Sequence, residues 1–183
     1  MSRESIMESR KYYQRNKMLS IIRYQKDVSR YDVKKATAYS MTTVLNTIEE
    51  MLGEGLIYEE ECAEARVGRK PVWLRINPDG GYFIGLEFNG RIMHCVVLDF
   101  AGNVIYSRES VIAESQTHAD AVLTMLKENI YRAMDILHGK KGRVLGIGLG
   151  VPGYSNKKKG IAISYSHIRD WDNIPLKKMI EEE

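Results

Sequence analysis

The sequence contains little cysteine and no regular spacing of histidine, and both absences exclude common kinds of site. Its 2 cysteines, Cys62 and Cys95, lie far apart and lack the paired spacing of a thiolate metal site or a redox motif. Its 4 histidines stand at no spacing that is typical of metal ligands. We therefore expect reduced, structural thiols, no metal site and no cofactor.

Long apolar runs are also absent. No stretch approaches the roughly 18 apolar residues that a membrane span needs, and the charged residues 1–17 are followed by no apolar signal core. We expect a cytosolic (cytoplasmic) protein with no membrane partner. The 44% content of hydrophobic residues is that of a globular chain, and 183 residues suffice for one domain or two small ones.

The net charge of +3 is small, but it is distributed unevenly. Met1–Ile48 holds ten basic and four acidic residues, whereas Glu49–Glu64 holds seven acidic residues and no basic one. After Ile76 each sign occurs thirteen times. The excess positive charge therefore lies in the N-terminal segment, where a phosphate backbone could be met, although a solvated basic face would give the same count.

Apolar periodicity and capping residues predict two helices in the first part of this basic segment. The apolar residues of Lys17–Tyr24 recur at helical spacing, and residues 10–15 could extend this first helix backwards. Ser29 is followed three residues later by Asp32, which is a capping-box pattern that satisfies free N–H groups at a helix start. We therefore predict a short second helix at Arg30–Thr37.

A third helix is predicted at Met41–Leu52, with Ser40 as its cap. Its apolar positions form one stripe at helical spacing. The stripe consists of Val44, Ile48, Met51 and Leu52. Gly53 and Gly55 follow it and are expected to end the helix.

Two short β-prone runs come next. Leu56–Tyr58 is apolar, and apolar and polar residues alternate in Val72–Ile76, as in a strand with one buried face. The polar residues between them would form the tip of a hairpin. Three short helices and a hairpin in about 76 residues have the order of a winged helix-turn-helix domain, which places one helix in the major groove of DNA.

The third helix carries the candidate base-reading residues on the face opposite its apolar stripe. We expect polar contacts to base edges from its hydroxyl and amide side chains, and apolar contacts to thymine methyl groups from the other two. These residues are Met41, Thr42, Thr43, Leu45 and Asn46. Arg30 and Lys34, near the start of the second helix, are expected to bind phosphates and set the register.

The hairpin tip places a flexible glycine beside two cations. Gly68, Arg69 and Lys70 stand before Pro71, which stiffens the backbone where the return strand begins. We expect the two cations to reach phosphates or an adjacent minor groove. The alternative is an exposed pair that balances the neighbouring glutamates.

The acidic residues leave a second class of function open. DNA would repel Glu49, Glu50 and Glu59–Glu61 if they faced it, so they should point away. Domains of three helices also mediate protein contacts, and a protein-interaction module without DNA binding therefore stays an alternative.

The composition changes after the turn-rich residues 77–81. Alternation, helical spacing and one buried apolar run predict three strands, a helix and a fourth strand. These elements are Tyr82–Phe88, Ile92–Asp99, Val104–Ile112, His118–Leu137 and Val144–Gly150. Their order suggests half of an actin-like lobe. Residues 148–153 fit the GxGxxG pattern, but no amphipathic helix follows to bind a pyrophosphate, so we discount a dinucleotide site there.

Four pieces of the chain together resemble one family. They are "VSRYDVKKATAYSMTTVLNTIEEMLGEGLI", "GRKPVWLRIN", "YFIGLEFNGRIMHCVVLDFAGNVI" and "GIGLGVPGYSNKKKGIAISYSHIRDWDNIPLKKMIEE". In this order and spacing the chain resembles the ROK family of repressors and sugar kinases, and specifically its repressor branch of the NagC/XylR type. The resemblance implies a sugar-responsive transcriptional repressor that binds a palindromic double-stranded DNA operator as a homodimer or higher homo-oligomer.

The chain departs from the kinases of that family. They place an aspartate and a Gly-Gly-Thr phosphate loop after the first strand of the lobe, where this chain has Glu87–Arg91. The family's catalytic aspartate, most of its sugar ligands and its zinc motif would lie beyond Glu183. We therefore expect no enzyme activity, and a sugar ligand only if the sensor domain is completed. A sugar kinase stays a further alternative.

The resemblance also implies that the lobe stops partway, so that part of an apolar face should be uncovered. Either the chain is a fragment of a longer protein or another chain covers that face. By resemblance Ser155, Asn156 and Trp171–Asn173 could line an edge of a sugar cleft, although we interpret them as surface turns.

The predicted fold class combines α+β and α/β. Residues 1–77 are expected to form a winged helix-turn-helix DNA-binding domain. Residues 78–183 are expected to form a partial actin-like sensor domain, with the ribonuclease H-like topology that sugar kinases share. A small domain of another topology is the alternative for the second segment.

Overall fold

The chain forms two compact units, Met1–Gly81 and Tyr82–Glu183, in a computed structural model that describes residues 3–61 and 72–182. Each unit has its own apolar core. Within the described residues, no helix has both the length and the apolar character needed to cross a membrane. The assignment of DNA binding to residues 1–77 and of sensing to residues 78–183 stays a prediction.

The first unit consists of three helices and a two-stranded antiparallel hairpin. These are α1 (Arg3–Tyr24), α2 (Arg30–Thr37), α3 (Met41–Gly53), β1 (Ile57–Glu61) and β2 (Val72–Ile76). The predicted bounds of α2 are confirmed, and α3 ends one residue later than predicted. The first helix extends backwards beyond the apolar segment that predicted it.

Side-chain caps set the starts of α2 and α3. The Ser29 hydroxyl accepts a hydrogen bond from the Asp32 backbone N–H at 3.2 Å, and the Ser29 N–H donates to the Asp32 carboxylate at 3.0 Å. This reciprocal pair is the predicted capping box. Ala38 ends α2 in the left-handed region, and the Ser40 hydroxyl accepts the Thr43 N–H at 3.1 Å.

The core of the first unit lies between the helices and the hairpin. Ile48, Val44 and Met51 of the predicted α3 stripe are fully buried, whereas Leu52 is only partly covered. An isolated bridge joins Val28, before α2, to Leu74 in β2. The nine core residues are Met18, Ile22, Val28, Val33, Val44, Ile48, Met51, Ile57 and Leu74.

The second unit contains a four-stranded sheet, one long helix and a smaller sheet. The predicted order of three strands, a helix and a strand is confirmed. These elements are β3 (Tyr82–Phe88), β4 (Ile92–Asp99), β5 (Val104–Val111), α4 (Ala119–Leu137) and β6 (Val144–Gly150). The strands lie in the order β5-β4-β3-β6, and only β6 runs parallel to its neighbour, β3.

The chain after β6 forms elements that are not evident from the sequence pattern. They are β7 (Tyr154–Asn156), β8 (Ile161–Ser164), β9 (Asp172–Ile174) and α5 (Leu176–Glu181). The three strands pair antiparallel in the order β7-β8-β9. Because β7 follows the GxGxxG residues directly, no helix begins there, in agreement with the discounted dinucleotide site.

The large sheet has one covered and one open face. Alternate residues of β3, Tyr82, Ile84 and Leu86 among them, point into the core that includes α4. On the opposite face Phe83 is 38% exposed, and the parallel strand contributes glycines there, Gly146 opposite Phe83 and Gly148 opposite Gly85. The open face therefore includes uncovered apolar surface.

Candidate nucleic-acid interface

The first half of α3 presents an uncharged polar surface. Thr42 and Asn46 are exposed one helical turn apart, and Met41 and Leu45 stand beside them at the same spacing. Met41 is 38% exposed, and Leu45 is partly covered. The first turn of α3 contains no acidic residue. Such a surface suits contact with base edges in a major groove.

Thr43 differs from the other predicted base-reading residues. Its hydroxyl lies 2.8 Å from the Ser40 hydroxyl, and its backbone N–H donates to the same oxygen. Thr43 therefore contributes to the cap of α3 in this structure. A contact from its hydroxyl to a base stays a prediction, and such a contact would compete with the hydrogen bond to Ser40.

Arg30, a predicted phosphate contact, is engaged within the first unit. One guanidinium nitrogen lies 2.6 Å from the Glu49 carboxylate of α3, and Nε lies 2.9 Å from the Glu59 carboxylate of β1. Burial lowers the pKa of Arg30, but the hydrogen bonds to the two carboxylates raise it by more, so the pKa lies above its usual value. Arg30 thus joins three elements, and its binding of phosphate stays a prediction.

Four of the five acidic residues that DNA would repel, Glu49, Glu50, Glu59 and Glu60, have cationic partners. Arg75 of β2 lies 2.7 Å from the Glu60 carboxylate and 2.8 Å from that of Asp27. On α1, Lys11 lies 3.7 Å from Glu50, and Arg15 binds Glu54 with two nitrogens. Much of the negative charge of α3 and β1 is therefore balanced inside the unit.

Two lysines of the first unit lie instead against aromatic rings. The ammonium of Lys34 is 5.8 Å from the centre of the Tyr31 ring, and that of Lys17 is 5.5 Å from the centre of the Tyr39 ring. Neither Lys17 nor Tyr39 is among the residues predicted from the sequence to contact DNA. The only available signal was the basic and aromatic composition of residues 10–17, because the contact depends on how α1 packs against the turn before α3.

The predicted wing-tip residues belong to the segment between the two strands of the hairpin. Gly68, Arg69 and Lys70 lie in residues 62–71, outside the described residues, as does the adjoining Pro71. Both strands of the hairpin are described, with Glu61 opposite Val72 at their last pair. The contact of the tip with DNA stays a prediction.

In the second unit, the end of β3 borders a cavity of about 350 Å³. Its described lining includes Glu87 as the one carboxylate, with His94 directly opposite Glu87 on β4. The Asn89 side-chain oxygen accepts the backbone N–H groups of Arg91 at 2.8 Å and Ile92 at 2.9 Å. These N–H groups are thus not offered to a phosphate, and Glu87 would repel one.

A wider groove of about 820 Å³ lies beside β6 and α5. Ser155 and Asn156 line it, together with apolar residues of β6 such as Ile147 and Leu149. The interpretation of Trp171 as a surface turn is wrong, because its side chain is 3% exposed and packs edge-on against Phe88 at 5.2 Å. Its large apolar ring stabilises the core of the second unit.

Comparison with known proteins gives matches of different extent. The sequence model of the ROK family matches residues 83–183. A protein of Caldicellulosiruptor sp. (strain Rt8B.4) that carries the name "Putative xylose repressor" is 30% identical over 167 residues. The match covers 90% of this chain and 41% of that protein. The xylose repressor of Caldicellulosiruptor bescii is 27% identical over 169 residues, with 91% of this chain and 41% of the repressor covered. The chain thus spans about two fifths of the length of these relatives.

A solved structure supports the fold. The crystal structure of a ROK family transcriptional regulator, a homolog of the E. coli MLC protein, matches with a TM-score of 0.72 and 22% identity over 94% of this chain and 43% of that chain. A glucokinase of Halalkalibacterium halodurans is 26% identical over only 102 residues, which cover 56% of this chain and 30% of the enzyme. Since the ROK family model covers more than half of its residues, the chain belongs to the ROK family.

Proposed function

We propose that the first unit is a winged helix-turn-helix domain that binds double-stranded DNA through α3, and that this binding represses transcription of sugar-metabolism genes. The observation that carries the proposal is the segregation of charge around α3. Its exposed first half is uncharged, and the glutamates of its second half are paired with cations of other elements. A helix of this kind can approach DNA without repulsion.

Each residue of this surface has a proposed role. Asn46 and Thr42 donate to or accept from base edges, and Met41 and Leu45 contact thymine methyl groups. Thr43 adds a polar contact once its hydroxyl turns away from the cap. Lys34 and Arg30 contact phosphates, with Arg30 exchanging a carboxylate for the phosphate. From the wing tip, Arg69 enters a narrow minor groove, and Gly68 and Lys70 lie alongside.

The assembly and the effector are proposed from the relatives. The two Caldicellulosiruptor relatives are named as xylose repressors. A palindromic operator bound by a homodimer or higher homo-oligomer places two copies of α3 in successive major grooves. A carbohydrate then acts through a sensor domain, of which the second unit contains the matched portion.

The alternatives are weaker on specific grounds. A sugar kinase needs phosphate-binding groups beside the end of β3, and the cavity there presents Glu87 instead. ATP turnover that depends on a sugar would revive this alternative. A protein-interaction module without DNA binding is favoured only by the acidic residues, and most of those that are described have partners inside the unit.

The test is a fluorescence-anisotropy titration of the chain against genomic DNA fragments, repeated at two salt concentrations. We expect binding that weakens steeply as salt rises. Asn46→Ala should cost about 1–3 kcal/mol on the preferred fragment and little on random DNA. Asn16→Ala, an exposed asparagine on α1, is the matched control and should change neither.

Two outcomes contradict the proposal in different ways. Equal losses on both kinds of DNA for Asn46→Ala would assign Asn46 to the phosphate backbone and remove its role in base reading. No salt-dependent binding to any fragment would reject DNA binding itself, and leave the protein-interaction module as the better function.

A further inference from the structure

We propose that Lys17 of α1, held by the ring of Tyr39, is a backbone-phosphate contact beside the start of α3. This inference rests on the proposed function, since it adds to the DNA surface a residue from a helix outside the helix-turn-helix pair. It assigns Tyr39 a positioning role, because the ring acts on DNA only through the lysine.

The Tyr39 ring is fixed by its surroundings. Tyr39 stands directly before Ser40, the cap of α3, and its backbone N–H donates to the Thr37 hydroxyl at 3.3 Å. Thr37 is itself buried and donates from that hydroxyl to the Val33 carbonyl at 2.8 Å. The ring also packs partly covered against the core of the first unit. A cation that binds this ring is therefore held in one place.

Lys17 is that cation. Its ammonium lies 5.5 Å from the ring centre, within the range of a cation–π interaction. Lys17 is half-buried, so its side chain is restricted further than that of a fully exposed lysine. Restriction before binding lowers the entropy that a lysine loses when it binds a phosphate.

Within residues 3–61 and 72–182 no carboxylate balances the charge of Lys17, whereas Lys11 and Arg15 on the same helix are paired. Lys11 and Arg15 bind Glu50 and Glu54 at the far end of α3. Among the described residues no carboxylate lies within ion-pair distance of Lys17, and the first turn of α3 contains none. A cation placed on the side of α3 that lacks acids is suited to meet an anion from outside, and DNA bound by α3 brings phosphates to that side.

The experiment compares salt dependence in matched lysine variants. Lys17→Gln should weaken binding to the preferred fragment and to random DNA by a similar factor, about 3–10-fold, and lower the slope of log K against log salt by about one unit. Lys17→Arg should restore the slope, because a guanidinium also binds a phosphate and an aromatic ring. Lys11→Gln, on the same helix but paired with Glu50, should leave affinity and slope unchanged.

Tyr39 variants test the positioning role. Tyr39→Phe keeps the ring face and should bind DNA as the unsubstituted protein does. Tyr39→Leu removes the ring face and should weaken binding to both kinds of DNA by a smaller factor than Lys17→Gln does. In the Tyr39→Leu background, Lys17→Gln should then have less effect than it has alone, and this loss of coupling is a readout that a purely structural role would not give.

The results separate this inference from the proposed function. If the unsubstituted chain binds no DNA with salt dependence, the proposed function fails. If it binds and Asn46→Ala behaves as expected, but Lys17→Gln changes neither affinity nor slope, only the phosphate contact is overturned. If Tyr39→Leu does not fold, the salt slopes of DNA binding by Lys17→Gln and Lys17→Arg still show whether Lys17 contacts a phosphate.

Discussion

The two units are stabilised in different ways. Of the described residues, nine form the core of the first unit and eighteen that of the second. Around its smaller core the first unit places Arg30 and Arg75, each of which binds two carboxylates on other segments. The described lysine–glutamate pairs of the second unit instead join residues only four positions apart at α5, Lys177 with Glu181 and Lys178 with Glu182. The small unit thus ties distant segments together by charge, whereas the large one relies on sheet register and apolar packing.

This difference has a functional side. An ion pair fixes the direction of a side chain as well as its distance, and in the first unit it also removes negative charge from the surface proposed to meet DNA. Arg30 does both, because it orients β1 relative to α3 and its one positive charge offsets part of the negative charge of Glu49 and Glu59. No DNA contact is proposed for the end of β3 in the second unit, and there Glu87 borders an open cavity.

The largest expected effect is in the cores. Ile48→Ala should destabilise the first unit by about 2–5 kcal/mol, because Ile48 is fully buried and the cavity left behind collapses only in part. Leu126→Ala is the counterpart in the second unit. The chain has 2 tryptophans, Trp73 in β2 and Trp171 in the second core, so single-tryptophan variants can follow each unit during urea unfolding.

We expect Ile48→Ala to move the Trp73 transition and Leu126→Ala to move the Trp171 transition, with the smaller unit losing the larger fraction of its stability. If either substitution moved both transitions equally, the two cores would unfold as one, and the two units would not be stabilised separately.

The second prediction concerns the cap of α2. Ser29→Ala should cost the first unit about 1 kcal/mol, because the Ser29 hydroxyl caps α2 and binds the Asp32 carboxylate at 2.6 Å. Ser20→Ala, an exposed serine inside α1, is the control and should have almost no effect. Urea unfolding followed by Trp73 measures both.

This cap should also give a pH dependence. Hydrogen bonds from the Ser29 hydroxyl, and then from its backbone N–H, hold the pKa of Asp32 below its usual 3.8. A carboxyl group whose pKa is lower in the folded state stabilises the fold above its unfolded pKa and loses that contribution as pH falls through the folded one. The difference between Ser29→Ala and the unsubstituted protein should therefore shrink below about pH 4. A constant difference would contradict the role of the carboxylate.

The sequence predicted local structure well where the signal was local. The capping box of Ser29 and Asp32 predicted the start of α2, and alternation predicted β3 and β4. It failed where tertiary contacts decide. β7 and β9 have three residues each and too little periodicity to detect, and the burial of Trp171 depends on Phe88, more than 80 residues earlier.

The candidate site divides in the same way. That Met41, Thr42 and Asn46 would be exposed followed from the α3 stripe alone. The partners of Arg30 could not be predicted, because Glu49 and Glu59 lie 19 and 29 residues further along the chain, and only the packing of α2 against α3 and β1 brings them together. The contact of Lys17 with Tyr39 could not be predicted either, because it too depends on how separate segments pack.

The third prediction separates the two roles of Arg30. Arg30→Gln should cost about 0.5–1 kcal/mol at low salt, because Glu49 and Glu59 lose their shared cation, and less at about 0.5 M salt, where the remaining charges are screened. Urea unfolding at both salt concentrations measures this. The phosphate contact is measured separately: if Arg30 also contacts phosphate, Arg30→Gln should lower the salt slope of DNA binding by about one unit, whatever its effect on stability.

The smallest effect is expected for Lys11, and it decides what kind of pair matters in the first unit. Lys11 lies 3.7 Å from Glu50 with side chains 72% and 54% exposed, whereas the Arg30 side chain is only 27% exposed and binds both of its partners within 2.9 Å. In water an exposed pair gains little Coulomb energy and loses side-chain entropy, so Lys11→Gln should change the stability by less than about 0.3 kcal/mol at any salt concentration. Urea unfolding on the Trp73 signal is again the measurement. If Lys11→Gln cost as much as Arg30→Gln, the stability of the first unit would depend on how many ion pairs it has. The partial burial of Arg30 and its link between three elements would then add nothing to its contribution.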